Sequence, residues 1–277
     1  MIRLLVHHLR RTWTFGTLCA VALFLFHALA LKIFKDVWTG PNAMVAGQFT
    51  RAMPKWMLAA MGIEGPMNTL PGFLSITWQH PLVLGLMLAM PVVTCTGLLA
   101  GDVERRTMAM LLARPLGRLQ VYASVATMAA LWPALGAAAA WAGIEMGARW
   151  TGQSLDGTGA GGGVPVSILA MTALNLFALS MAVAGYALLV SAASDTRGGA
   201  GDLAFWPVLI MYVGNFLVQI WPAAAPAAKF MLFRHFQPGR MLLRGIVEPR
   251  DMWILAAVSA VGLIAGAVVF RRRDLAL

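Results

Sequence analysis

Apolar runs of about twenty residues alternate with short polar stretches along the whole chain. They fall at about 14–34, 81–100, 119–143, 166–193, 203–222 and 252–270. At a rise of 1.5 Å per residue, each is long enough to cross a hydrocarbon core of ~30 Å. The pattern predicts an all-α, polytopic integral membrane protein, a six-transmembrane-helix bundle forming one domain over 1–277. Residues 1–13 differ. Ile2, Leu5, Val6, Leu9 and Trp13 follow helical spacing, with Arg3, His7, Arg10 and Arg11 on the other side, which predicts an N-terminal amphipathic interfacial helix. Arg10-Arg11, an apolar core and Ala28-Leu29-Ala30 also fit a secretory signal, but the apolar run continues to Phe34 and favours an uncleaved span.

The connections are uneven. Residues 35–80 form a long outer loop, with Met53, Trp56, Met57, Ala60 and Met61 on one helical face before Gly62, Pro66, Pro71 and Gly72. Pro81 suits the first turn of span two, Pro91 is expected to kink it, and Pro133 lies inside span three. Residues 151–165, with Gly157, Gly159 and Gly161 to Gly163, read as a flexible linker. Segment 229–251 carries Lys229, Arg234, Arg240, Arg244 and Arg250 and fits either an interfacial helix or a re-entrant hairpin. Trp13, Trp38, Trp78, Trp150, Trp206, Trp221 and Trp253 fall near span ends, where an aromatic belt would place them.

Composition agrees with lipid rather than water. Only 12% of residues are charged, about half the share in soluble domains. The net charge of +10 comes from basic residues at span ends, without the basic stripe interleaved with aromatics that nucleic acid requires, so no nucleic-acid partner is expected. Cys19 and Cys95 both sit inside apolar runs, which disfavours a disulfide framework. With the N-terminus inside, segments 1–13, 101–118, 194–202 and 271–277 hold 11 Lys and Arg; the outer segments hold 10 in about twice the length. Density therefore places both termini in the cytoplasm and the chain in the cytoplasmic (inner) membrane.

Several chemistries find little footing. A phosphate-binding loop needs Gly-Lys-Ser/Thr, yet Lys32, Lys35, Lys55 and Lys229 have neither the Gly before nor the hydroxyl after. Any ATP-driven work must draw on a partner. Proton-coupled carriers place ionisable groups at mid-membrane depth, whereas spans two, four, five and six hold no Asp, Glu, Lys or Arg, leaving His27 as the candidate. Intramembrane hydrolysis would need a nucleophile beside a base or clustered ligands, and His7, His8, His80 and His235 show no such pairing. Met53, Met57 and Met61 at i, i+4, i+8 suit a soft metal, although methionine also simply fills apolar gaps. Asn175, Asn215 and Gln219 are the deepest polar side chains, candidates for a substrate path or for bundle packing.

The most informative stretch is 101–118. Asp102 is a credible N-cap, Glu104 puts negative charge in a first helical turn, Met108, Leu111 and Leu112 make an apolar face, and Pro115 stops the helix. Such a short amphipathic helix fits a groove on a soluble partner, or lies on the inner leaflet. Asp102-x-Glu104-x-x-Thr107 followed by Leu111-Leu112-x-x-Pro115-x-x-Arg118 resembles the cytoplasmic coupling loop of permease subunits of ATP-binding cassette transporters of the type-two exporter class. The closing Phe270-Arg-Arg-Arg-Asp274-Leu275 is similar to the family's end, as are Met53-Pro54 through Gly62 with His80-Pro81, and Phe236-Gln237-Pro238, to other stretches. Arg106 stands where that family prefers Gly, and Met110 where an acid is common. The resemblance implies a permease with no cofactor of its own, two copies of a separate ATPase that hold ATP and Mg, and a second permease chain, identical or not. It implies ATPase docking through Asp102, Glu104, Thr107, Met108, Leu111, Leu112, Pro115 and Arg118. An ion-gradient carrier and a non-transporting assembly or sensor component are the alternatives.

Overall fold

In hydrocarbon a backbone amide has no water to bond to, so apolar runs of this length fold as helices that satisfy their own backbone. The computed structural model describes residues 2–40, 43–54, 58, 65–112, 116–155 and 162–274. In chain order its helices are α1 (Ile2–Ile33), α2 (Ala43–Ala52), α3 (Leu70–Gln79), α4 (Pro81–Glu104), α5 (Thr107–Leu112) and α6 (Arg118–Thr151). Then come α7 (Val166–Ala193), α8 (Arg197–Ile220), α9 (Pro238–Arg244) and α10 (Pro249–Arg272). Six of them, α1, α4, α6, α7, α8 and α10, are long and apolar enough to cross a membrane, and no strand occurs among the described residues.

Span four matches its expected limits of 166–193, span five starts six residues early and ends two short of 203–222, and the others run further than hydropathy indicates. Segment 2–13 continues into span one as a single helix, and α6 extends two turns past residue 143 through Glu145 and Arg149. Hydropathy reports depth in lipid, whereas helical hydrogen bonding continues into the polar zone. The long outer loop also holds more structure than its composition indicates. Within it, α3 turns Leu70, Leu74 and Trp78 into the bundle, and Thr69 caps its start by accepting from the Gly72 amide at 3.3 Å. Trp78 is therefore fully buried beside His27, their ring centroids 4.9 Å apart, and is no member of an aromatic belt. Trp150, Trp221 and Trp253 are exposed near helix ends as a belt requires. Segment 229–251 is neither one interfacial helix nor a simple hairpin. Two 3-10 turns, Pro222–Phe230 and Leu232–His235, lead into α9, which packs on α3. Of the Met53, Met57 and Met61 stripe, the last two lie outside the described residues.

Packing follows the rules of a bundle in lipid. α1 lies along α6, α7 lies along α10, and α4 is wedged between α6 and α7. Small residues let backbones approach closely: a Cβ on Gly262 of α10 would meet the Gly185 carbonyl carbon of α7 at 2.5 Å. One on Gly147 of α6 would meet the Ala28 carbonyl oxygen of α1 at 2.8 Å. The outward faces are apolar instead, with Leu203, Phe205 and Ile210 of α8, Trp221 just after it, and Val261 and Ile264 of α10 exposed.

Two intrahelical prolines explain two hydroxyls. Pro91 lacks the N–H that would bond the Met87 carbonyl one turn earlier, and Ser180 of α7 donates to that carbonyl at 2.7 Å. Pro207 likewise frees the Leu203 carbonyl, and Tyr186 of α7 donates to it at 2.8 Å. One helix thus supplies the donors that prolines remove from both its neighbours. Ser180→Ala should lower stability by about 1–2 kcal/mol, because it orphans a buried carbonyl. In a Pro91→Ala background, where the helix bonds that carbonyl itself, the same change should be close to neutral. Thermal unfolding of the four proteins in detergent measures the coupling, and additive losses would reject this account.

Candidate coupling site

Near its end α4 contains a π turn, Thr96–Ala100, before its last residues Gly101–Glu104. A π turn inserts one residue, which rotates everything after it by about 100° relative to a regular helix. After that rotation Asp102 faces α1. Its carboxylate accepts both oxygens' worth of contact from Arg11 Nη1, at 2.8 and 2.9 Å, and the Asp102 side chain is 1% exposed against 27% for Arg11. Asp102 is thus no N-cap; it sits inside a continuing helix and makes a charge pair between spans one and two.

The helix then breaks at Arg105 and Arg106. Arg106 adopts φ +58°, the left-handed region where an L side chain is disfavoured by roughly 1 kcal/mol relative to Gly. Thr107 follows, its hydroxyl donating back to the Asp102 carbonyl at 3.2 Å, and α5 begins there. Glu104, at the last turn of α4, accepts from the backbone N–H of Arg197 at 2.8 Å. Arg197 opens α8, so a carboxylate meets the positive end of that helix. Thr196 accepts from the Gly199 amide at 3.3 Å to complete the cap.

Two further arginines close the same end of the bundle. Arg118, first residue of α6, donates to the carbonyls of Arg273 at 2.6 Å and Arg271 at 3.4 Å, at the C-terminus of α10. Arg273 in turn donates to the carbonyls of Ala192 and Ser194, at 2.9 and 2.8 Å, and pairs with Asp195 at the end of α7. Helix C-termini carry orphan carbonyls and partial negative charge, and guanidinium groups answer both. Phe270 is buried and packs against Tyr122, anchoring the arginine run that follows it. Segments 2–11, 101–112, 116–118, 194–197 and 271–273 therefore share one end.

Between the start of α1 and α5 lies a cavity of about 750 Å³. Arg3, His7 and Arg11, one stripe at i, i+4, i+8, line one wall; Asp102, Arg105 and Thr107 stand opposite. Met110 and Leu111 complete an apolar edge. The docking residues read from sequence divide accordingly. Asp102, Thr107 and Leu111 border the cavity, and Glu104 is exposed but engaged with α8. Met108 is buried, 2% exposed, among Leu4, Leu98, Leu99 and Val121, so it supports α5 from beneath and offers no surface. Arg118 caps α10. The Leu112 side chain and all of Pro115 lie outside the described residues. The surface of α5 is instead Met110, 73% exposed, beside Arg105 and Arg106. Sequence reading missed that Arg3, His7 and Arg11 face this segment, although their spacing already placed them on one stripe.

The deep polar residues do not form one path. Asn175 donates to the His235 carbonyl at 3.2 Å and lines a cavity of about 20 Å³, the size of one water, with Gln237 and Asp251. His235 pairs with Asp251 at 2.6 Å, tying the Leu232–His235 turn to α10. Asn215 lines a different cavity, and the Gln219 side chain lies outside the described residues. His27 is fully buried with Nδ1 on the Leu23 carbonyl at 2.9 Å, as in a packed position on its own helix. No family model and no curated protein matches the chain.

Three substitutions probe this end. Arg11→Met leaves a buried carboxylate without its partner and should cost about 2 kcal/mol or more, whereas adding Asp102→Asn should recover part of that loss. A double variant no more stable than Arg11→Met would remove the pair's significance. Arg106→Gly should raise stability by about 0.5–1 kcal/mol by relieving the left-handed backbone. A lower unfolding temperature for that variant would show that the side chain is needed where it stands.

Proposed function

We propose that the chain is the permease subunit of an ATP-driven exporter of the type-two class, working with a separate ATPase and a second permease chain in the cytoplasmic membrane. The observation that carries this reading is the wiring of segment 101–112. It continues span two, pairs with span one through Asp102 and Arg11, and holds the start of span five through Glu104 and Arg197. A push on its exposed face therefore reaches three spans without passing through a flexible linker. The left-handed backbone at Arg106 adds independent support, because the motif it resembles has Gly at that position. ATP and Mg are held by the ATPase, and this chain contributes the docking face and the pathway. Both termini and segment 101–118 then face the cytoplasm, and the exposed apolar sides of α1, α8 and α10 face lipid and the second permease.

In this reading the contact with the ATPase is made by Arg105, Arg106 and Met110, with the cavity lined by Arg3, His7 and Arg11 receiving a partner segment. Met110→Asp should insert and fold normally yet lose co-purification with the ATPase by about tenfold, the effect of placing a charge in an apolar contact. Met108→Asp should instead fail to fold, because it buries an unpaired charge. Association that survives Met110→Asp combined with Arg105→Glu would reject docking at α5. Transport in vesicles that follows an ion gradient without ATP would replace the exporter reading with that of a secondary carrier.

A further inference from the structure

At the end of the bundle opposite Arg118 and Arg273, a cavity of about 360 Å³ opens where three separated parts of the chain meet. Tyr212, Asn215 and Phe216 come from α8, Phe233 and Phe236 from the turn after it, and His80 from the junction of α3 and α4. From its lining we infer that this cavity binds an uncharged aromatic small molecule that carries a hydrogen-bond acceptor. Its place as the substrate's site rests on the permease reading, but the binding itself does not.

Four properties converge on that class. Among the described residues no Asp, Glu, Lys or Arg lines the cavity, so an ionic ligand would lose its hydration without gaining a fixed counter-charge from them. The side formed by Tyr212, Phe216, Phe233 and Phe236 is aromatic and faces Ile76, Gln79, Pro81 and Leu84. Tyr212 and Phe233 hold each other edge to face with centroids 5.3 Å apart, which offers a surface for stacking. Hydrogen-bonding groups remain available. The Tyr212 hydroxyl and Asn215 amide have no hydrogen-bond partner among the described residues, and His80 accepts from the Leu82 amide at Nδ1, which leaves Nε2 as the ring's donor. An acyl chain from the bilayer would leave all three idle. The volume, finally, lies at the lower end of the range for small-molecule sites. Because α8, α4 and the turn before Pro238 each contribute one wall, relative motion of the spans changes the shape of the cavity.

Photolabelling by benzophenone, itself a neutral diaryl ketone, tests the site in the purified full chain in lipid nanodiscs with no ATPase present. Its counterparts are 4-benzoylbenzoate and (4-benzoylbenzyl)trimethylammonium, which add a negative or a positive charge to the same core. Mass spectrometry of the irradiated protein should place the neutral adduct in 76–84 and 212–236, with both charged probes labelling there about tenfold less. Asn215→Leu should reduce this labelling by about twofold to tenfold, the loss of one hydrogen bond, and Asn215→Trp should abolish it by filling the space. An unchanged size-exclusion profile establishes that both variants fold. Adducts spread over the exposed face of α8, at Phe205 and Ile210, would mean partition from lipid and would overturn the site. Preferential labelling by the cation would overturn the assigned class. Neither outcome bears on docking at α5, and loss of ATPase association in Met110→Asp leaves this site standing.

Discussion

Every carbonyl that a membrane helix cannot satisfy internally must find a donor in the protein, and this constraint organises the bundle. Two kinds of orphan arise. Prolines 91, 133 and 207 create them inside helices, and Ser180 and Tyr186 of α7 answer those of Pro91 and Pro207. Helix ends create the rest, and at the end that carries the termini arginines answer them: Arg118 at the close of α10 and Arg273 at the close of α7. Central in the bundle, α7 supplies donors to α4 and α8, and its own closing carbonyls accept from Arg273 at the end of α10.

The same arginine end is where force would enter. Helices packed through glycine contacts, as α7 and α10 are at Gly185 and Gly262, move as rigid pairs because neither can bend without a backbone clash. The end of α4 is joined to α1, which packs on α6 at Gly147, by the Arg11–Asp102 ion pair, and to α8 by the Glu104 carboxylate. The π turn at Thr96–Ala100 sets the phase that makes the ion pair possible, and the left-handed Arg106 sets the angle at which α5 departs. The opposite end is assembled differently, from aromatic contacts and 3-10 turns between α3, α8 and α9, and it holds the neutral cavity.

Much of the coupling segment was legible in the chain, but the roles of its residues were not. Asp102 and Met108 stood out as polar cap and apolar face. One regular helix would have placed them so; instead the inserted residue upstream turned Asp102 toward Arg11, and the break at Arg106 set α5 down with Met108 in the core. Trp78 was read as interfacial because it precedes an apolar run, yet α3 folds back and buries it. Asn175 and Asn215 looked alike in sequence; one completes a packing network and the other borders open space.

Local physics was sufficient to determine from sequence that the chain is helical, membrane-embedded and six-spanned, since hydrophobic run length and backbone satisfaction need no knowledge of neighbours. Resemblance in the 102–118 motif supplied the expectation of a docking loop. Tertiary structure alone decided which polar groups pair, because contacts such as Arg11–Asp102, Ser180–Met87 and Arg118–Arg273 join residues 91, 93 and 155 positions apart, and helix phase, not sequence spacing, brings them together.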